Sequence, residues 1–191
     1  FSGLVNENDL VTLGGYPGEL RKALGIWAEE IDALFPDMKN RIVLNEPLGD
    51  LSGEYECGLL CDLIHLEGAK VLAVYGTDFY AGRPVLTENS FGKGQTYYIA
   101  SDPEPAFVQG FLKYLCARKG IKAPLAAVNG VEITQRFKAE HEFTFVLNHN
   151  DYEVRVDLQG RCYQDLLSQQ EQPGELVLKP KDVAILKRNG E

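Results

Sequence analysis

In the last third of the chain, apolar and polar residues alternate with a period of two. Val131, Ile133 and Phe137 mark one apolar series, and Phe143, Phe145 and Leu147 mark the next. Tyr152, Val154, Val156 and Leu158 mark a third, with Glu153, Arg155 and Asp157 between them. Successive side chains of a strand point to opposite faces, so this alternation predicts strands with one buried face. The short polar side chains of Asn148-His149-Asn150-Asp151 tolerate turn geometry, and they predict an antiparallel hairpin joining the second and third series. Pro173-Gly174 predicts another turn, followed by strands at 176–178 and, beyond Lys179-Pro180, at 183–186. Strands and turns without helices predict a small all-β antiparallel sandwich.

Before this region the pattern is mixed. Pro17 suits the first turn of a helix, Glu19 suits that end of the helix dipole, and Gly25 can close the helix in a left-handed conformation, which predicts a helix over 17–24. Leu20, Leu24, Trp27, Ile31 and Leu34 continue at helical spacing, but Gly25 interrupts them, so a strand is predicted next. Further strands are predicted at 42–44, at 59–66 and 70–75 around the turn Glu67-Gly68, and at 84–87 and 95–100 as a hairpin around Gly92-Lys93-Gly94. An amphipathic helix over 103–119 follows, with Phe107, Phe111, Leu112 and Leu115 on one face, Pro103 or Pro105 at its start and Gly120 at its end. The change of pattern around 119–124 places a domain boundary between residues 122 and 123.

Composition narrows the function classes. A net charge of −9 on 191 residues repels the phosphates of nucleic acid and anionic lipid, which argues against both as partners. No apolar run approaches the roughly 20 residues that span a bilayer, so no membrane segment is expected. The four cysteines, Cys57, Cys61, Cys116 and Cys162, lack the dense spacing of a disulfide framework, and reduced thiols in a cytoplasm fit them better. The opening Phe1-Ser2-Gly3-Leu4-Val5, without a Met, reads as the tail of a strand before the polar loop Asn6-Glu7-Asn8-Asp9, as expected of a fragment of something longer.

Several motifs invite chemistry. Asn45-Glu46-Pro47 follows a predicted strand, a context in which barrel glycosidases place an acid/base glutamate. The chain lacks the length and the strand–helix alternation of such a barrel, so Glu46 is read as part of a turn. His65-Leu66-Glu67 with Cys57 or Cys61 suggests an amidotransferase-like triad, in which imidazole deprotonates a thiol and a carboxylate orients the ring. The cysteines stand on the approach to the same strand instead of on a separate strand-to-helix elbow, and small buried thiols are the plainer reading. As metal ligands, Cys57, Cys61 and His65 lack the second pair that structural zinc recruits, so neither metal nor cofactor is expected. Phe91-Gly92-Lys93-Gly94-Gln95-Thr96 lacks phosphate-loop spacing and reads as a hairpin turn. The loop Thr77-Asp78-Phe79-Tyr80-Ala81-Gly82-Arg83-Pro84 combines aromatics with arginine, a mixture enriched at protein interfaces, and Phe79, Tyr80 and Arg83 are the interface candidates.

Linked motifs then form a longer pattern. Ser2-Gly3-Leu4-Val5-Asn6-Glu7-Asn8-Asp9, Leu13-Gly14-Gly15-Tyr16-Pro17-Gly18 with Leu20-Arg21, and Leu24-Gly25-Ile26 open it. It continues through Gly68-Ala69-Lys70-Val71-Leu72-Ala73, Gly82-Arg83-Pro84 and Phe91-Gly92-Lys93-Gly94 to Tyr97-Tyr98. Together they resemble the middle, trimerisation domain of family 42 glycoside hydrolases, the bacterial β-galactosidases, over residues 1–122. Residues 125–188, through Phe145-Val146-Leu147-Asn148-His149, resemble the family's C-terminal β-sandwich domain, and residues 123–191 are assigned to it. The resemblance implies a partial flavodoxin-like or class I amidotransferase-like α/β domain followed by the sandwich. It implies self-association as a homotrimer, and retaining hydrolysis of terminal β-galactosides by two glutamates on an amino-terminal barrel. Neither glutamate has a counterpart in this sequence, so no catalytic residue carries over, and β-galactoside would be met only through that barrel. A carbohydrate-binding role for the β-sandwich is a further reading from another class.

Overall fold

The computed structural model describes residues 3–126 and 128–189. Phe1 and Ser2, where the expected strand tail begins, lie outside them. The chain divides into two compact units, Phe1–Lys119 and Gly120–Glu191.

The first unit opens with a tight turn in which the Asn6 side chain accepts hydrogen bonds from the amides of Asn8 (2.9 Å) and Leu10 (3.1 Å). A 3₁₀ turn, Gly18–Leu20, leads into the short helix α1, Arg21–Leu24. Gly25 ends it at φ 63°, as the sequence predicted. A Cβ at Gly25 would stand 2.8 Å from the Asn89 side chain and 3.0 Å from the Ala69 amide, so conformation and space both demand glycine. The strands follow: β1 Ile26–Ala33, β2 Asn40–Leu44, β3 Glu54–Leu66, β4 Lys70–Tyr75, β5 Pro84–Phe91, β6 Gly94–Ile99 and β7 Ser101–Pro103, and then helix α2, Pro105–Arg118.

All pairings in this unit are antiparallel, in the order β1-β3-β2-β4-β5-β6, with β7 returning to β3. This overturns the expected flavodoxin-like or amidotransferase-like α/β fold. Parallel neighbours need a crossover of about a dozen residues or more, usually helical. Here Gly92-Lys93 alone joins β5 to β6, and α2 follows the last strand instead of linking two parallel ones. The sheet closes on itself where β6 runs through Ala100 into β7. The Ala100 amide donates to Val85 O (2.8 Å), and the Asp62 amide donates to Ala100 O (2.7 Å). The Tyr75 hydroxyl, buried, donates to the carbonyls of both Asp62 and Ala100 across this seam.

Ile26, Ile42, Ala73, Val85, Leu86 and Phe107 are fully enclosed within this unit. Asp62 is buried among them but satisfied, accepting hydrogen bonds from the hydroxyls of Tyr98 (2.5 Å) and Tyr16 (3.5 Å). Burial, reinforced by this carboxylate, pushes both tyrosine hydroxyls far above their ordinary value, so they remain protonated donors. Helix α2 begins with Pro105 at its first position, while Pro103 belongs to β7. Phe107 meets Tyr55 edge-on at 5.4 Å, and Phe111 meets Tyr97 at the same distance. Leu112, expected on the buried face, is exposed, so that face is narrower than its spacing suggested.

The second unit contains β8 Val131–Lys138, β9 His141–Asn148, β10 Val154–Asp165, β11 Glu171–Leu178 and β12 Val183–Asn189, in the order β11-β10-β12-β9-β8. The expected hairpin between β9 and β10 is not formed, because β12 lies between them. The polar residues that suggested the hairpin have another use. The Asn148 amide group donates to Tyr152 O (2.9 Å) and Lys179 O (2.8 Å), the Asn148 backbone amide donates to Asp182 O (2.9 Å), and the Lys181 amide donates to Asn150 O (3.2 Å). The cluster therefore fastens the approach to β12. Pro173-Gly174 is not a turn either. It lies within β11, where Pro173 faces Cys162 beside a register slip in β10, a place where a strand tolerates the missing donor.

β10 joins β12 only through Gln164↔Lys187 and Asp165↔Leu186. The sheet folds at this seam, and the faces of β9–β12 and β10–β11 converge on one core. That convergence is why Val146, Val156, Leu158 and Leu186 are fully enclosed in a unit built of strands. The antiparallel sandwich thus takes the form of one folded sheet. At its end Glu142, 3% exposed, accepts from Arg188 (2.6 Å) and from the Tyr163 hydroxyl (3.2 Å).

Two outcomes follow. Gly25→Ala should cost about 2 kcal/mol in denaturant unfolding, from left-handed strain plus the clash at Asn89. Gly53→Ala, also at positive φ but with open space around it, should cost clearly less. The hydrogen bond from Arg188 holds the Glu142 carboxyl below the ordinary carboxylate value. As pH falls past about 4, the unfolded chain therefore takes up this proton before the folded one does, and the stability present at neutral pH is lost in acid. In thermal melts, the gap between wild type and Glu142→Gln should be widest near pH 7 and narrow towards pH 3; an unchanged gap would contradict this assignment.

Candidate assembly surface

The loop between β4 and β5 is a compact platform. The buried Asn40 side chain organises its start, accepting from the Thr77 amide (3.1 Å) and hydroxyl (2.9 Å) and donating to Thr77 O (3.1 Å). Asp78 takes a positive φ of 70°, and its carboxylate accepts from the Phe79 amide. Gly82 N donates to Tyr75 O (2.8 Å), and Tyr75 N donates to Arg83 O (2.9 Å), which closes the loop onto the end of β4.

This backbone sends neighbouring rings in opposite directions. Tyr80 is 1% exposed; its ring meets Tyr75 edge-on at 4.9 Å, and its hydroxyl donates to Asp32 (2.9 Å). Phe79 rests edge-on against Tyr80, 4.9 Å away, and is 77% exposed. Of the three candidate residues, then, Phe79 is presented outward, Arg83 is half-buried at the surface, and Tyr80 is an internal anchor rather than a contact.

Arg83 leads into a row of charged and aromatic groups. Its guanidinium lies 3.9 Å from Glu29, which is 2.7 Å from His65 Nε2. The His65 ring stacks on Trp27 at 4.4 Å, Arg21 lies 5.6 Å over Trp27, and Arg21 pairs with Glu67. The hydrogen bond to His65 draws the Glu29 carboxyl below its ordinary value, and the one from Arg21 does the same for Glu67. Composition gave no sign of this row. Trp27 and His65 face each other through the β1–β3 register, and Glu29 falls where that register slips.

The other chemical motifs are dispersed. Cys57 and Cys61 are enclosed in the core, with Cys61 Sγ 3.4 Å from the Ser101 hydroxyl. A shared hydrogen bond raises the Cys57 thiol, and burial raises it further, while the same bond lowers Cys61. His65, on the surface, is engaged by Glu29, and Glu67 by Arg21, so the imagined triad is not assembled. Glu46 is exposed in the turn after β2. Lys93 sits at the tip of the β5–β6 hairpin, where Phe91 faces Gly94.

Exposed apolar side chains add to the surface of this unit. Phe35 and Met38 share the turn between β1 and β2, bonded through Met38 N to Phe35 O (2.9 Å), and exposed Leu59 receives the Leu34 amide (3.0 Å). Leu10, Val11 and Leu13 form a second exposed group after the opening turn. Exposed apolar clusters of this kind mark association surfaces, and nothing in the local sequence distinguishes them from core residues.

Comparison with known proteins follows the same division. Residues 1–122 match the family described as the β-galactosidase trimerisation domain, and residues 130–188 match the β-galactosidase C-terminal domain. The β-galactosidase BgaA of Planococcus sp. is 55% identical over 186 residues, covering 97% of this chain, and BgaB of Geobacillus sp. is 40% identical over 194 residues, covering all of it. The crystal structure of a β-galactosidase from Bacillus circulans sp. alkalophilus superposes with a TM-score of 0.90 at 52% identity, covering 98% of this chain and 28% of that one. The chain likewise spans 28% of the length of both curated relatives. Among the described residues no helix is long and apolar enough to cross a membrane. With both of its domains matched in order, the chain belongs to the family 42 β-galactosidases.

Proposed function

We propose that this chain is the assembly part of a β-galactosidase, and that it holds protomers together in a homotrimer while hydrolysis of terminal β-galactosides takes place on polypeptide outside these residues. The observation that carries this reading is the ordered match of a trimerisation domain and a C-terminal domain over residues 1–122 and 130–188. Phe79, raised on a rigid loop and backed by Tyr80, supplies an apolar contact. Arg83 beside Glu29 supplies a polar rim. An exposed ring on a pre-organised platform suits an interface because little conformational entropy is lost when it is covered. Assembly would contribute to catalysis by positioning, fixing the neighbours of each catalytic pocket, and not by chemistry. The cytoplasm is the compartment this reading assigns, and the free thiols suit it.

Light scattering on the 191-residue chain should give the mass of three copies, and Phe79→Asp should shift it towards one. A single-copy mass for the unaltered chain across a broad concentration range would defeat the assembly reading. In the same preparation iodoacetamide should modify exposed Cys162 quickly, and Cys57 and Cys61 only on unfolding. Fast labelling of Cys61 in the folded chain, together with amide hydrolysis lost in Cys61→Ser, would favour an amidotransferase-like enzyme instead.

A further inference from the structure

At one end of the second unit a cleft of about 700 Å³ opens between the two layers of the folded sheet. Cross-strand rows on the inward face show how it arises. Ile133, Val146 and Ala184 form one row, and Gln135, Thr144 and Leu186 form the next. Phe137, Glu142 and Arg188 form the last row, at the mouth. The face therefore changes from apolar to polar to ionic, and β9 buries Glu142 and Thr144 although its apolar alternation runs through Phe143, Phe145 and Leu147. Taking Glu142 and Arg188 out of water costs desolvation that their attraction seldom repays in full, so stability alone is a weak reason for the pair. Phe137 shares this inward face yet stays 69% exposed, a ring at the rim of the cleft. Arg161, from β10, lines the opposite wall and donates to Pro124 O (3.1 Å), and His141 adds an imidazole 3.5 Å from Glu140.

We propose that this cleft binds a neutral sugar, with a pyranose face stacked on Phe137 and its hydroxyls hydrogen-bonded by Glu142, Arg188, Gln135 and Arg161. The mixed lining favours a neutral ligand over an anion. Arg188 is matched by Glu142, Glu140 stands beside His141, and Lys122 and Arg161 add two further cations beside the carboxylates, so the wall offers donors and acceptors together. Hydroxyls act as both donor and acceptor and can use such a mixed set, and an apolar sugar face complements an exposed ring. All of its lining residues belong to the second unit.

Titrating the isotope-labelled 191-residue chain with galactose, lactose, glucose, inorganic phosphate and acetate, followed by NMR, tests the proposal. At least one sugar should saturate at millimolar concentration and shift the amides of residues 135–142 and 161. Phe137→Ala should weaken that binding roughly tenfold, the scale of a lost ring contact. Phe137→Trp should retain it, and Phe91→Ala, which removes an exposed ring in the other unit, should leave it unchanged. Because Phe137 is exposed, the melting temperature of the Ala variant should stay near that of wild type. Absence of saturation with all three sugars, binding of phosphate or acetate in their place, or sugar binding indifferent to Phe137→Ala would overturn it.

Discussion

The first unit depends on one backbone handover, at Ala100. This residue gives its amide to Val85 and receives the amide of Asp62, so it links β5 to β3 at the point where β6 runs on into β7 and its ladder with β3. The Tyr75 hydroxyl bonds carbonyls on both sides of the seam. Closure also governs what surrounds it. The register of β3 against β7 slips between Gly58 and Cys61, Leu59 takes a φ of 57°, and both thiols turn into the core. The β4–β5 loop leaves from the same Tyr75 whose hydroxyl spans the seam. The position of Phe79 is therefore fixed through Tyr80 and Tyr75 by the closed sheet.

Both units bury a carboxylate, and both satisfy it with partners distant in sequence. Asp62 is met by Tyr16 and Tyr98, and Glu142 by Tyr163 and Arg188. Hydrophobic burial is non-directional, whereas an interior carboxylate accepts only arrangements that bring donors to it at the right angle. These two groups thus help to select one packing of the strands from the many that would bury similar area.

The sequence located strands far better than it placed their neighbours or, in β9, their inward face: Phe143, Phe145 and Leu147 marked the apolar series, yet Glu142, Thr144, Val146 and Asn148 are the buried residues. Alternation from Val131 to Leu158 located three strands, Gly25 located the end of α1, and Gly92-Lys93-Gly94 located a hairpin, because each signal is local. Strand order is not local, so Asn148-His149-Asn150-Asp151 read as a hairpin turn when its polar groups actually secure β12. The α/β expectation came from family resemblance and gave way to connections too short for parallel crossovers. At the candidate surface, loop composition pointed to Phe79, Tyr80 and Arg83 together, yet a single positive φ at Asp78 accompanies the divergence of two adjacent rings. The Trp27–His65 stack was hidden because its members are 38 residues apart and meet only through register.

The placement of β12 has a consequence for how the second unit comes into being. This strand is the last of the unit to leave the ribosome, and it is the central one, with β9 on one side and β10 on the other. Until it emerges, the two halves of the sandwich share no strand-to-strand ladder, and their inward faces have no fixed mutual alignment. The unit is therefore completed from its middle once its last strand has emerged, and a polypeptide cut short after Leu178 would carry two separate hairpins whose inner edges are open to whatever chain lies nearby.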